Sequence, residues 1–171
     1  MDTYVAPQRY ARSIQNLGVK VLSCDVENET LPIPDGQYDA VIFFEIFEHL
    51  RIDPIFTMKE VLRILKPNGI LLLSSPNLKS INGLKNYLLR DRAYSCCGDI
   101  YSEFMKLETL GHMGHVREYT ITEVTDFLRK IGFEIDKIIY RGRIAGTISK
   151  LIIRLFPSLR PFVTYVARKI N

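Results

Sequence analysis

The run Tyr38-Asp-Ala-Val-Ile-Phe-Phe44 limits the fold more than any other part of the chain, because five apolar residues follow one another from Ala40 without a helical or alternating period. A short run of β-branched and aromatic residues bounded by turn residues reads as a strand buried on both faces. Ile70–Ser75 is a second such run, closed by Pro76-Asn77. Between them Asp53-Pro54 opens a helix through about Leu65, with Ile55, Met58, Val61, Leu62 and Leu65 on one face, and Lys66-Pro67-Asn68-Gly69 stops it. Strand, helix and strand in that order predict a parallel sheet with helical crossovers.

The rest of the chain extends the alternation. Pro7 opens a helix carrying Tyr10, Ala11, Ile14 and Leu17, which Gly18 closes, and Val19–Ser23 reads as a strand ending at Cys24-Asp25. A helix around 80–90 leads into a loop-rich insertion within residues 78–118. Thr120 with Glu123 three residues later is a capping box for a helix to Ile131, and Gly132 ends it. Phe133–Tyr140 is a strand, residues 145–156 an amphipathic helix, and Phe162–Arg168 a last strand after Pro161. Five strands with intervening helices make one open α/β domain over residues 1–171.

Composition narrows the function classes. The 171 residues are 47% apolar and 25% charged, as expected of a globular domain with a sizeable core. The formal charge of +4 is uneven: residues 141–171 hold seven basic residues and no acid, so residues 1–140 sum to −3. A basic helix and strand at one end argue against a general nucleic-acid footprint. Ile148, Leu151, Ile152, Leu155 and Phe156 between Lys150 and Arg154 make either a solvated helix face or a contact for an anionic membrane surface. Three cysteines, two of them adjacent, form no disulfide framework, and with no secretory signal this points to a reducing cytoplasm. No stretch has the length of a spanning helix.

In open α/β sheets ligands sit beyond the carboxyl ends of the strands. Asp25, Glu45 to His49, and Ser74 to Asn77 fall there. Glu45-Ile-Phe-Glu48-His49 would set two carboxylates and an imidazole on one face if a helical turn begins at Glu45. Such a set suits Mg²⁺, Mn²⁺ or Zn²⁺, with His115 or His112 closing the site. His49 as a general base without metal, backed by Glu48, and a purely structural role are the competing readings. Cys96-Cys97 with His112 and His115 offers a weaker zinc pattern, because adjacent cysteines chelate poorly compared with spaced pairs. Asn77 is placed to touch a substrate, and Tyr119 reads as a core or pocket-wall ring.

Read in order, CDVENETLPIPDGQYDAVIFFEIFEHL, EVLRILKPNGILLLSSPN and GHVREYTITEVTDFLRKIGFEI resemble the class I S-adenosylmethionine-dependent methyltransferase family over nearly the whole chain. The resemblance implies a Rossmann-like sheet of which this chain supplies strands 3 to 7 of seven, with helices on both faces. It implies S-adenosylmethionine as cofactor, with Asp2 on the ribose hydroxyls, Asp25 on the adenine amino group, Val26 beside the ring and Glu45 near the methionine end. The family's glycine-rich loop is not in the sequence, so the chain reads as N-terminally truncated relative to the family. Strands 3 and 4 would lose the neighbours between them and pair with each other, recruit another chain, or expose ladder edges. The E-x-x-E-H run is similar to that of metal-dependent O-methyltransferases, in which Glu45, Glu48, His49 and His115 would hold the metal. Two functions are therefore expected as alternatives: O-methylation of a small-molecule, glycan or lipid-linked acceptor, or a non-catalytic partner subunit that joins another chain as a homo- or hetero-oligomer.

Overall fold

The computed structural model describes residues 16–110 and 114–170. Four strands form one sheet: β1 (Tyr38–Phe44), β2 (Leu65–Pro76), β3 (Phe133–Arg141) and β4 (Phe162–Lys169). Their spatial order is β1-β2-β4-β3. The helices are α1 (Pro54–Ile64), α2 (Ile81–Arg90), α3 (Ile100–Leu110), α4 (Ile121–Ile131) and α5 (Thr147–Leu155), with 3-10 turns at Phe47–His49 and Pro157–Leu159. No helix among the described residues is long and apolar enough to cross a membrane.

Local signals explain where the elements begin and end. Asp53 caps α1 by accepting from the Phe56 N–H at 2.9 Å, and Pro54 fills the first helical position, where no N–H is needed. The Thr120–Glu123 capping box is complete at the start of α4. Gly132 ends α4 at φ 122°, a conformation that a side chain would strain, while its N–H reaches back to the Leu128 and Arg129 carbonyls. Opposite Asp39 the β1–β2 register jumps from Leu65 to Ile70, so Lys66–Gly69 bulges out of the ladder with Asn68 at φ 61°.

The sheet differs from the expected one in two ways. β1–β2 is the parallel hydrogen-bonded pair; β4 runs antiparallel to both β2 and β3, so it alone is reversed while β3 keeps the direction of β1 and β2. α5 and the Pro157–Leu159 turn return the chain to the sheet so that β4 inserts between its neighbours in the reverse direction. Val19–Ser23 forms no strand and stays irregular, with Val19, Val21 and Leu22 exposed. A short apolar run without a ladder partner cannot satisfy its own backbone groups. The helix expected from Pro7 lies mostly outside the described residues; its closing residues, Leu17 and Gly18, form a turn. The 78–118 region holds an unexpected second helix, α3.

One face of the sheet carries the core. Phe43, Leu71, Leu73, Val163, Tyr165 and Ala167 pack there with Met58 and Val61 of α1 and Val124 and Leu128 of α4. The opposite face is not covered in the same way, and β1 occupies the sheet edge. Ile42 is 65% exposed, and Phe44 and Ile139 also lie open. The continuous apolar run therefore belongs to a strand of which one face is packed and the other is more open among the described residues. Truncating Leu73 to Ala should cost about 3 kcal/mol of unfolding free energy, as is usual for a buried leucine. Ile42→Ser should change it by less than about 0.5 kcal/mol. Equal losses in chemical denaturation would show the outer face to be as covered as the inner.

Candidate functional site

Because β1 and β2 are parallel, their carboxyl ends lie side by side: the Glu45 N–H donates to the Ser74 carbonyl at 3.0 Å. β4 begins at the same end, where the Asn77 N–H donates to the Pro161 carbonyl. This end of the sheet gathers most of the polar residues singled out by pattern.

Glu45 leaves the strand at φ 52°, in the left-handed region, and the following turn is a 3-10 turn of Phe47–His49 alone. The expected helical face starting at Glu45 is therefore not formed. The Glu45 carboxylate accepts from Ser74 Oγ at 2.5 Å and from Arg141 Nη2 at 3.3 Å, away from the Glu48–His49–His115 group. Of the four residues expected to share a metal, the structure brings together three: ligand atoms of Glu48, His49 and His115 lie within 4.8 Å of one another.

Glu48 is the centre of the arrangement. It is 1% exposed, and neither carboxyl oxygen has a hydrogen-bond partner among the described residues. His115 Nε2 stands 3.9 Å from Glu48 Oε1. Burial in low dielectric disfavours the charged form and pushes the Glu48 carboxyl up to about 7, with the nearby Glu45 charge acting in the same direction.

The segment carrying His115 is anchored from several sides. The Glu48 carbonyl accepts from the Val116 N–H at 2.8 Å, and the Glu103 carboxylate of α3 accepts from the His115 N–H at 2.8 Å. Glu103 also pairs with Lys106. A side chain at Gly114 would push the Glu103 carboxylate aside from this position. The His49 and His115 rings meet edge to face with centroids 4.8 Å apart. His49 Nδ1 lies 3.0 Å from the Gly114 carbonyl. That contact puts the proton on Nδ1 and makes Nε2 the basic nitrogen of the neutral ring.

On its other side His115 Nδ1 faces Glu118 Oε1 at 3.5 Å and Cys97 Sγ at 2.9 Å. Burial alone would raise the Glu118 pKa, but hydrogen bonds from His115, from the Ser95 hydroxyl and from the Ser95 and Cys96 N–H groups hold it down to about 2. The same Glu118 contact raises the His115 pKa above its ordinary value. Glu118 escaped the sequence reading; the only available signal was its place three residues after His115.

Asp25 and Val26 lie in the turn-rich segment that precedes β1. Glu27 Oε1 accepts from the Arg51 and Ile52 N–H groups, and the Val26 carbonyl accepts from Thr57 Oγ1, which fastens this loop to the start of α1. Asp25 is exposed, and its carboxylate oxygens accept from the Glu27 N–H and Asn28 Nδ2 close by in sequence. Each oxygen retains a further lone pair. Asp2 and His112 lie outside the described residues. Asn77 does not face a substrate: it is buried, with Nδ2 donating to the Ser158 and Arg160 carbonyls. Tyr119 packs on Phe47 at 4.9 Å and borders the core.

Residues 3–138 match the methyltransferase domain family. This chain belongs to that family. A probable S-adenosylmethionine-dependent methyltransferase from Mycolicibacterium smegmatis is 28% identical over 106 residues, which is 62% of this chain but only 32% of that relative. Among solved structures, a SAM-dependent methyltransferase from Thermotoga maritima aligns over 95% of this chain and 70% of its own length, with TM-score 0.59 and 21% identity. A Burkholderia thailandensis 1,6-didemethyltoxoflavin-N1-methyltransferase, solved with bound S-adenosylhomocysteine, aligns over 98% of this chain and 59% of its own length, with TM-score 0.57 and 15% identity. At these identities the structural matches establish the shared methyltransferase fold. The chain thus spans about a third of the length of the curated relative it matches.

The buried Glu48 gives this methyltransferase domain a measurable pH signature. An unfolded chain releases the Glu48 proton near 4.5, whereas the folded chain keeps it to about 7. Between those values the folded state binds more protons, so this group's contribution to stability falls as pH rises. Glu48→Gln should be more stable than the parent by on the order of 2 kcal/mol at about pH 8, with the gap closing by about pH 4. A gap that does not change with pH in denaturant titrations would contradict the assignment.

Proposed function

We propose that this chain serves S-adenosylmethionine-dependent methyl transfer, with an oxygen of a small-molecule, glycan or lipid-linked compound as acceptor. The observation that carries the reading is the buried Glu48 carboxyl between β1 and His115, held near its midpoint at neutral pH. The most effective acid or base has a pKa close to the working pH, which is why such groups mark catalytic positions.

The fit to the cofactor is partial. Exposed Asp25 and the adjoining Val26 would hold the adenine end, and Glu45 would face the methionine end from the turn after β1. The sequence has no glycine-rich turn for close backbone approach. When bound, the cofactor supplies an electrophilic methyl group. The chain's own residues then have two tasks. His49, with Nε2 as its basic nitrogen, takes the proton of the acceptor hydroxyl, and Glu48 in its ionised form stabilises the imidazolium. If a divalent cation assists, Glu48, His49 and His115 would hold it, and its chemistry would be Lewis-acid lowering of the hydroxyl pKa.

A lipid-linked acceptor draws support from α5. Ile148 is 77% exposed, Leu151 58% and Leu155 65%, an apolar stripe at helical spacing flanked by Lys150 and Arg154. A second reading rests on the β1 edge and its open outer face: the chain is a subunit whose sheet another chain completes.

Calorimetric titration of S-adenosylhomocysteine into the folded chain separates the two. Methyl transfer predicts saturable one-to-one binding that Asp25→Ala weakens roughly ten- to a hundredfold, the usual cost of one charged hydrogen bond. No binding at millimolar ligand, by a chain that still melts cooperatively, would sink the first reading and leave the second. With an acceptor in hand, His49→Ala should lower kcat by at least roughly a hundredfold.

A further inference from the structure

Behind His115, on the side away from Glu48, lie two thiols and a carboxylate that the methyl-transfer reading does not use. They come from two separate stretches, Cys96-Cys97 and Glu118. A bend at Ser95–Cys96 turns both thiols toward the His115 segment. Cys96 Sγ is 3.7 Å from His115 Nδ1 and 3.3 Å from Glu118 Oε1, Cys97 Sγ is 2.9 Å from His115 Nδ1, and Glu118 Oε1 is 3.5 Å from that nitrogen. One ligand atom from each of the four residues falls within 4.8 Å of the others.

These separations match the edges of a small coordination tetrahedron. With Zn–S near ~2.3 Å and Zn–N or Zn–O near ~2.0 Å, neighbouring ligand atoms stand roughly 3.3–3.8 Å apart. Three of the four separations fall in that range, and the Cys97–His115 contact is shorter.

We propose that Cys96, Cys97, His115 and Glu118 form a zinc site that fixes the loop after α2 to the segment before α4. Both thiols lose their protons as Zn²⁺ binds, so two protons are released and the two thiolates with the Glu118 carboxylate leave the site with net charge −1. His115 ligates through Nδ1 and remains neutral. Its Nε2 must then carry the proton, and it points at Glu48. Ligating histidines commonly give their second N–H to a carboxylate that orients the ring. Glu48, with both oxygens buried and no hydrogen-bond partner among the described residues, is placed for that role. The metal thereby sets the tautomer of the imidazole beside the proposed proton-handling residues. It acts as a positioning group and stands whether or not the cofactor reading holds.

Co²⁺ serves as a spectroscopic substitute for Zn²⁺ on the metal-stripped chain. The expected result is one equivalent of Co²⁺ per chain with thiolate-to-cobalt charge transfer and tetrahedral visible bands, both bleached by Zn²⁺. Cys24→Ser should leave the spectrum unchanged, and the double variant Cys96→Ser, Cys97→Ser should abolish it. Zn²⁺ should raise the Tm of the parent and not of the double variant. If the double variant does not fold, the parent and Cys24→Ser spectra still decide. Absence of the thiolate band from a cooperatively melting parent, or its loss on Cys24→Ser, overturns the proposal. Failure of the S-adenosylhomocysteine titration leaves this result untouched.

Discussion

A carboxyl group buried without hydrogen bonds is expensive unless something nearby uses or neutralises it. Glu48 is that group here, and the surrounding structure is arranged around it. Its backbone carbonyl receives the 114–118 segment, its side chain meets His115, and the parallel pairing of β1 with β2 sets the turn that carries it. The segment in turn is held by Glu103 from α3 and by the bridge between Asn77 and Tyr119. Disturbing any of these moves the imidazole that faces the buried acid.

Much of the fold could be read from the chain because local and tertiary preferences agree. The Asp53-Pro54 start, the Thr120–Glu123 box and the Gly132 stop each act within a few residues, and each appears in the structure. Two features depend on partners distant in sequence and were not readable. Val19–Ser23 has strand composition but no neighbour to pair with, so it remains irregular. β4 enters antiparallel between β2 and β3 because of the α5 return, a matter of topology that apolar periodicity does not encode.

The site was readable to a similar depth. Spacing groups Glu48 with His49, and His115 joins them from the loop before α4; ligand atoms of the three lie within 4.8 Å of one another. Glu45 was assigned to the same face on the assumption of a helical turn. Its left-handed backbone sends the carboxylate to Ser74 and Arg141 instead. Spacing alone does not foresee the bend that turns Cys96 and Cys97 toward His115. Membership of the methyltransferase domain family accounts for the α/β sheet, whose outer face is the more open one among the described residues.

Burial beside His115 holds the Glu48 carboxyl protonated into the neutral range. A carbon-13 NMR titration of the glutamate side-chain carboxyls, with Glu48→Gln to assign the signal, measures this directly. The account predicts a Glu48 midpoint at about 7, well above the other glutamates. A midpoint at the ordinary carboxylate value of about 4.3 would contradict it, because the group would then be ionised and solvated at neutral pH.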